Sequence, residues 1–204
     1  MVVRTKVLSL LAETVAIAKY LLMIEATGVK AHFGLLSCGA SVDLIRAAKA
    51  KGLPVTSDVA MHQLHLTEQL TDGFNSLAHV RPPLRSEQDK ALLRQGVKEG
   101  VIDAICTHHE PLSSSAKMAP FAETQPGITA FDTYVALGVQ LIQESLFEPL
   151  EWVEKVTSIP AQVANMTERW QQEAGWVLVD PELEWVVSKE TILSQGKNTP
   201  LLRQ

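Results

Sequence analysis

Asp103-Ala-Ile-Cys-Thr-His-His-Glu-Pro111, with Arg81-Pro-Pro-Leu-Arg85 upstream, is the stretch from which the fold is read. Val101 to Cys106 is a short apolar run of strand character that ends in the polar group Thr107-His-His-Glu110. Ahead of it, Ser86-Glu-Gln-Asp89 has the spacing of a capping box and predicts a helix that stops at Gly100. The unit is therefore helix, strand, then a loop rich in groups that bind metals or protons.

The same rhythm repeats toward the N-terminus. Residues from about Ser9 to Ala26 place Val15, Ala18 and Leu22 at helical spacing, and Gly28 ends the run. Val29 to Ser37 reads as a buried strand, and Ser41 as the cap of a short helix closed by Gly52. Leu53 to Val59 reads as a second strand, followed by an irregular stretch to Arg85 with a helical turn near Thr67. Strands separated by helices predict a parallel sheet with right-handed crossovers. After the third strand come helices over about Thr129–Ser145, Pro149–Val156 and Pro160–Met166, with both prolines suited to first-turn positions. Trp176-Val-Leu-Val179 and Glu184-Trp-Val-Val187 flank Asp180-Pro181 and predict a small hairpin. The organisation expected is an α/β domain over residues 1–168 and a small β or irregular appendage over 169–204.

Bulk properties narrow the function classes. The 204 residues are 46% hydrophobic and carry a net charge of −5 with a pI near 5.7. No general basic surface is available for nucleic acid. Cys38 and Cys106 sit in apolar surroundings that suit reduced, buried thiols better than a disulfide. No signal-peptide pattern is seen, and the apolar stretch from Val15 to Ile24 is interrupted by Lys19, so a cytoplasmic protein without a membrane span is expected. Trp152, Trp170, Trp176 and Trp185 read as packing residues of the C-terminal region.

Several segments, in order, resemble the C-terminal half of a dihydroorotase, a branch of the amidohydrolase superfamily. Ser41 to Thr56, then Asp58-Val-Ala-Met-His-Gln-Leu64, correspond to the helix, strand and Glu-Val-Thr-Pro-His-His-Leu segment of that family. Pro82-Pro-Leu-Arg-Ser-Glu87, Pro126-Gly-Ile128, Ile159-Pro-Ala161 and Gly196-Lys-Asn-Thr-Pro200 follow at similar spacing. The resemblance covers almost the whole chain. It implies about the last three strands, with their helices, of a (β/α)8 barrel whose site lies at the C-terminal ends of the strands. Active relatives use zinc to supply hydroxide and an Asp to handle the proton during opening and closing of a cyclic amide.

Residue by residue, the resemblance also implies a degenerate site. The family strand reads His-x-x-His-x-Ser, with metal bound by the second histidine; that place is Leu35, which has no lone pair. His32, at the first place, is expected to be satisfied by a backbone partner. The family Asn that holds substrate is Arg81, a longer and permanently charged group. His108 stands where the catalytic Asp belongs, and Leu112 where a substrate-contacting histidine belongs. Pro126 and Gly127 keep the family loop, so Arg81, Pro126 and Gly127 are the vestigial substrate-binding positions, and no metal ligands are expected intact. Arg85 reads as either an ion-pair partner or a functional group. A rebuilt metal site from His62, His65, His108, His109 and Glu110 is the alternative to ordinary surface or hydrogen-bonded histidines.

The function implied is a catalytically silent dihydroorotase-like subunit, without cofactor, that supports aspartate transcarbamoylase in pyrimidine synthesis; its open sheet edges imply that it self-associates, pairs with a complementary half or packs in a collapsed αβ form. Two alternatives stand beside it. One is a zinc-dependent dihydroorotase that needs missing strands from another chain; the other is a truncated fragment with no independent role.

Overall fold

The computed structural model describes residues 10–173 and 175–202. Three short strands, β1 (Ala31–Phe33), β2 (Val55–Ala60) and β3 (Ala104–Cys106), form a parallel sheet in the order β1-β2-β3. Ala31 pairs with Val55 and Asp58 with Ala104. Helix α1 (Leu10–Thr27) leads into β1, α2 (Gly39–Ala50) connects β1 to β2, and α3 (Glu87–Lys98) precedes β3. Each step moves one strand in the same direction, as right-handed crossovers do along a barrel wall.

Alternation along the strands divides the side chains. Val55 and Val59 of β2 and Ile105 of β3 are buried in the main core with Ile17, Leu21 and Ile24 of α1, Val42 and Ile45 of α2, and Leu93 and Val97 of α3. His32, Thr56, Asp58 and Cys106 lie on the other face, where they meet one another. Beyond the sheet, α4 (Tyr134–Gln143), α5 (Pro149–Val156), α6 (Ser158–Val163) and α7 (Thr167–Glu173) follow. Trp152 of α5 is buried against Gly138 of α4, where an added Cβ would stand 2.3 Å from the indole. A smaller cluster of Ala78, Val80, Leu84, Ile128 and Ala130 underlies the loops at the C-terminal end of the sheet.

The cap at Ser86 forms as predicted, its hydroxyl accepting the Asp89 N–H at 3.1 Å. Other expectations are corrected. The first strand is three residues long, because the backbone leaves the extended region at Leu35, whose φ is +60°. The second helix begins at Gly39 with Cys38 at its N-cap, and Ser41 lies buried one turn in. The helix expected over Thr129–Ser145 opens as a 3-10 turn, Phe131–Thr133, before α4. Pro149 occupies the first turn of α5 and Pro160 that of α6, although α6 starts at Ser158 and ends at Val163 rather than spanning Pro160–Met166. α7 was not anticipated; its Arg169–Glu173 pair at 2.8 Å has the i,i+4 spacing that supports an exposed helix.

The C-terminal hairpin does not form. Among the described residues no strand occurs beyond β3, and Trp176, Val177 and Leu178 are exposed in chain without regular secondary structure. An isolated hairpin is marginal without a third strand or an apolar layer beneath it. Of the four tryptophans only Trp152 is buried, so the packing role expected of the set belongs to that one residue. No helix among the described residues is long and apolar enough to cross a membrane.

Candidate functional site

The fold gathers the expected site positions at one place. Leu35, from the turn after β1, Arg81 and Pro82–Pro83, from the segment before α3, and His108 and Glu110, from the loop after β3, line a cavity of about 590 Å3 with Glu13, Arg85 and Pro126. Gly127 and Leu112 stand at its border: a Cβ on Gly127 would lie 3.0 Å from Glu110 Cβ and 3.1 Å from Leu112 Cδ1. Gly127 has φ +144°, a conformation that side-chain-bearing residues rarely adopt. All six positions named from sequence thus meet at the C-terminal end of the sheet.

What holds each one is specific. Leu35 keeps its left-handed backbone because its N–H donates to Asp58 Oδ1 at 2.7 Å, and Asp58 Oδ2 pairs with His32 Nε2 at 2.8 Å. His32 Nδ1 is hydrogen-bonded to Thr56 Oγ1 at 2.8 Å, so its partners are side chains rather than the backbone group expected. Burial alone would raise the Asp58 pKa, but the His32 and Leu35 hydrogen bonds outweigh it and hold the carboxyl below its ordinary range. Burial, reinforced by Asp58, pushes the Cys106 thiol well up, so this sulfur is not an activated nucleophile.

Arg85 lines the cavity and pairs with the turn after β1 and with α1. Its Nε donates to Ser37 Oγ at 3.0 Å and its Nη2 lies 3.7 Å from Glu13 Oε2. Glu13 also accepts the Ser37 N–H at 3.0 Å and the Ser37 hydroxyl. Sequence reasoning assigned Glu13 no role, yet it ties α1 to the turn after β1 and to the Arg81–Arg85 segment, whose Arg81–Pro82 peptide is cis. Asn198 is the second residue it missed. Buried, Asn198 accepts the Leu112 N–H at 2.6 Å, donates to the Glu110 carbonyl at 3.0 Å and meets Thr129 Oγ1 at 2.8 Å. Its signal was the Gly196–Pro200 motif, whose meaning is thus architectural: it fixes the loop after β3.

The histidines part company. His108, with φ +45°, places Nε2 2.8 Å from the Arg81 carbonyl and 3.6 Å from Glu110 Oε2. His109 turns away, its Nδ1 accepting the N–H groups of Ala130 and Phe131 at 3.2 and 3.0 Å. His62 is neither a surface residue nor a hydrogen-bonded one, contrary to expectation. It is 1% exposed, neither ring nitrogen has a partner among the described residues, and its ring lies 5.8 Å from that of His108. Burial, and secondarily the proximity of His108, lower its pKa to about 3.

This donor set does not fit zinc. Hydrocarbon occupies the Leu35 position, and among the described residues no group of three or more His, Cys, Asp or Glu side chains is placed to hold a metal ion. Lys117, from the Ser113–Lys117 loop, is buried and donates to the His79 carbonyl at 2.9 Å, the same oxygen that accepts the Gly127 N–H at 2.9 Å. Burial lowers its pKa to about 8 despite the opposing charge of Glu110.

Over 194 residues, 94% of the chain, the sequence is 41% identical to a dihydroorotase-like protein of Pseudomonas aeruginosa. The chain is thus similar in sequence to part of dihydroorotase-like proteins. A dihydroorotase of Syntrophus aciditrophicus is 36% identical over 193 residues, 93% of the chain. The chain spans about half the length of these relatives, 46% and 45% respectively. No family model matches. Among solved structures, a D-hydantoinase (dihydropyrimidinase) from Thermus sp. superposes with a TM-score of 0.68 at 20% identity, over 76% of this chain and 36% of that one. The inactive dihydroorotase-like domain of a CAD-like multifunctional protein from Chaetomium thermophilum superposes at 0.56 and 18% identity, over 73% of this chain and 41% of the domain. These likenesses show the fold alone: three parallel strands and their helices, superposing on part of the larger fold of those structures.

Proposed function

We propose that this chain is a catalytically silent dihydroorotase-like polypeptide that serves as a structural partner of aspartate transcarbamoylase in pyrimidine synthesis. The observation that carries the silent site is the cavity wall itself. Leu35, Arg81 and His108 line the cavity and Leu112 stands at its border; by the resemblance, Leu35 and Leu112 are hydrocarbon where active relatives place histidine. A leucine can neither ligate a metal nor move a proton. His108 retains a lone pair, but one ring nitrogen is engaged by the Arg81 carbonyl and its neighbour His62 is buried away from solvent. Support for the partner is the resemblance to non-catalytic dihydroorotase homologues that assemble with that enzyme.

Co-sedimentation of the purified chain with the aspartate transcarbamoylase catalytic trimer tests the scaffold role. A saturable complex of fixed stoichiometry is expected. Independent sedimentation of the two at micromolar concentrations would contradict it.

A second reading is a zinc-dependent dihydroorotase that hydrolyses dihydroorotate reversibly to carbamoyl aspartate after another chain supplies the absent strands. The identity of 36% to a relative named as a dihydroorotase favours it. It requires zinc-dependent turnover from the completed barrel.

A further inference from the structure

One cation at the site cavity has no counter-charge. Of the charged groups that line the cavity, Arg85 and Glu13 face each other at 3.7 Å and share Ser37. Glu110 lies 3.6 Å from His108 Nε2 and acts on the Lys117 ammonium behind the wall. Arg81 is exposed, and its guanidinium meets no carboxylate and makes no hydrogen bond among the described residues. Its carbonyl, by contrast, is held by His108 Nε2 at 2.8 Å, so the backbone that carries the side chain is fixed. Burial, then Lys117 and Arg81, lower the His79 pKa, which places two cations beside one imidazole in a protein of net charge −5.

The rest of the wall decides what such a cation would hold. Leu35, Pro82, Pro83 and Pro126 line the cavity and Leu112 borders it. Their side chains offer no donor or acceptor, so a ligand gains there by removing hydrocarbon from water. At about 590 Å3 the space falls in the range of small-molecule sites. A guanidinium presents a planar fork of N–H donors that matches the two oxygens of a carboxylate. A multiply charged anion suits the place less well, because Glu13 and Glu110 stand on the same wall. A free guanidinium beside a hydrocarbon surface has the polarity of an apolar acid.

We propose that this cavity binds, without a metal, a small monocarboxylate with an apolar body, such as a branched-chain or aryl acid. Arg81 holds the carboxylate and Leu35 lies against the body. The assignment deepens the silent reading of the site, on which it rests: the same side chains that cannot ligate zinc form the apolar wall.

The test is isothermal titration calorimetry of the full chain with 4-methylpentanoate and with benzoate, EDTA being present throughout. One-to-one binding is expected with a dissociation constant on the order of a millimolar or tighter. Arg81→Gln should weaken it at least about tenfold, and the neutral 4-methylpentanamide should bind the unsubstituted chain at least about tenfold more weakly than the acid. Leu35 has φ +60°, a conformation that asparagine adopts more readily than leucine, so Leu35→Asn keeps the backbone and should weaken binding about fivefold. Four outcomes would overturn the proposal: no saturable binding, unchanged affinity in Arg81→Gln, equal affinity for the amide, or tighter binding of inorganic phosphate or dihydroorotate than of either acid. The amide comparison uses the unsubstituted chain, so misfolding of a variant would not remove the test. Zinc-dependent turnover would sink the silent reading and leave the EDTA result as it is, whereas absence of binding would sink this proposal alone.

Discussion

The imidazole of His62 lies 5.8 Å from that of His108, ring centre to ring centre, with both His62 nitrogens buried and without a hydrogen-bond partner among the described residues. A histidine so placed is neutral, since charging it would bury a cation beside a second imidazole.

Acid should therefore destabilise this fold well before its carboxylates are protonated. The His62 pKa is lowered from 6.5 to about 3 and that of His65 to about 4, chiefly by burial in both cases. Depressed folded-state values mean that the unfolded chain binds more protons, so stability is full above pH 6.5 and is lost as pH falls toward 4 and then 3. Between pH 6.5 and 5, His62 alone should account for a loss on the order of 2 kcal/mol. Urea unfolding at the two pH values checks this, and His62→Phe should flatten the dependence.

Gly138 has no space for a side chain, since the added Cβ would meet the Trp152 ring at 2.3 Å. The indole is buried and cannot swing aside, so Gly138→Ala should cost about 1–3 kcal/mol despite alanine's better helix propensity. Thermal denaturation measures it.

Glu13 and Glu25 make an internal comparison on one helix. Glu13 joins Ser37 and Arg85 in a largely buried cluster, whereas Glu25 meets Lys51 at 3.1 Å on the surface. Glu13→Ala should cost about 3 kcal/mol and loosen the Arg81–Arg85 segment, while Glu25→Ala should cost under about 1 kcal/mol. Chemical denaturation of both variants decides whether the cluster holds the site wall together.

Neither thiol should react readily in the folded state. Burial raises the Cys38 pKa, as it does that of Cys106, and both are free cysteines. Iodoacetamide at pH 8 should modify both rapidly in urea and at least about a hundredfold more slowly without it. Fast labelling of Cys106 would show the Asp58 side of the sheet to be open.

How much of this was legible in the sequence follows from what each feature depends on. The three strands and their helices could be read because apolar periodicity and caps such as Ser86 are local. The end of β1 could not, because the left-handed turn at Leu35 is secured by Asp58 from the neighbouring strand. The tail misled the reading for the complementary reason: Trp176 to Val179 has strand composition but no strand beside it among the described residues. For the site, motif order pointed to Leu35, Arg81, His108, Leu112, Pro126 and Gly127, which the fold brings to one cavity and its border. The partners that orient them, Glu13 and Asn198, lie far away in sequence and emerge only in three dimensions.

The silent site is the central claim, and zinc binding with turnover tests it most directly. The purified chain, alone and with aspartate transcarbamoylase, would be assayed for bound zinc and for dihydroorotate hydrolysis before and after zinc addition. The account predicts no stoichiometric zinc and no hydrolysis above the uncatalysed rate in any mixture. One equivalent of zinc accompanied by turnover that His108→Ala abolishes would contradict it.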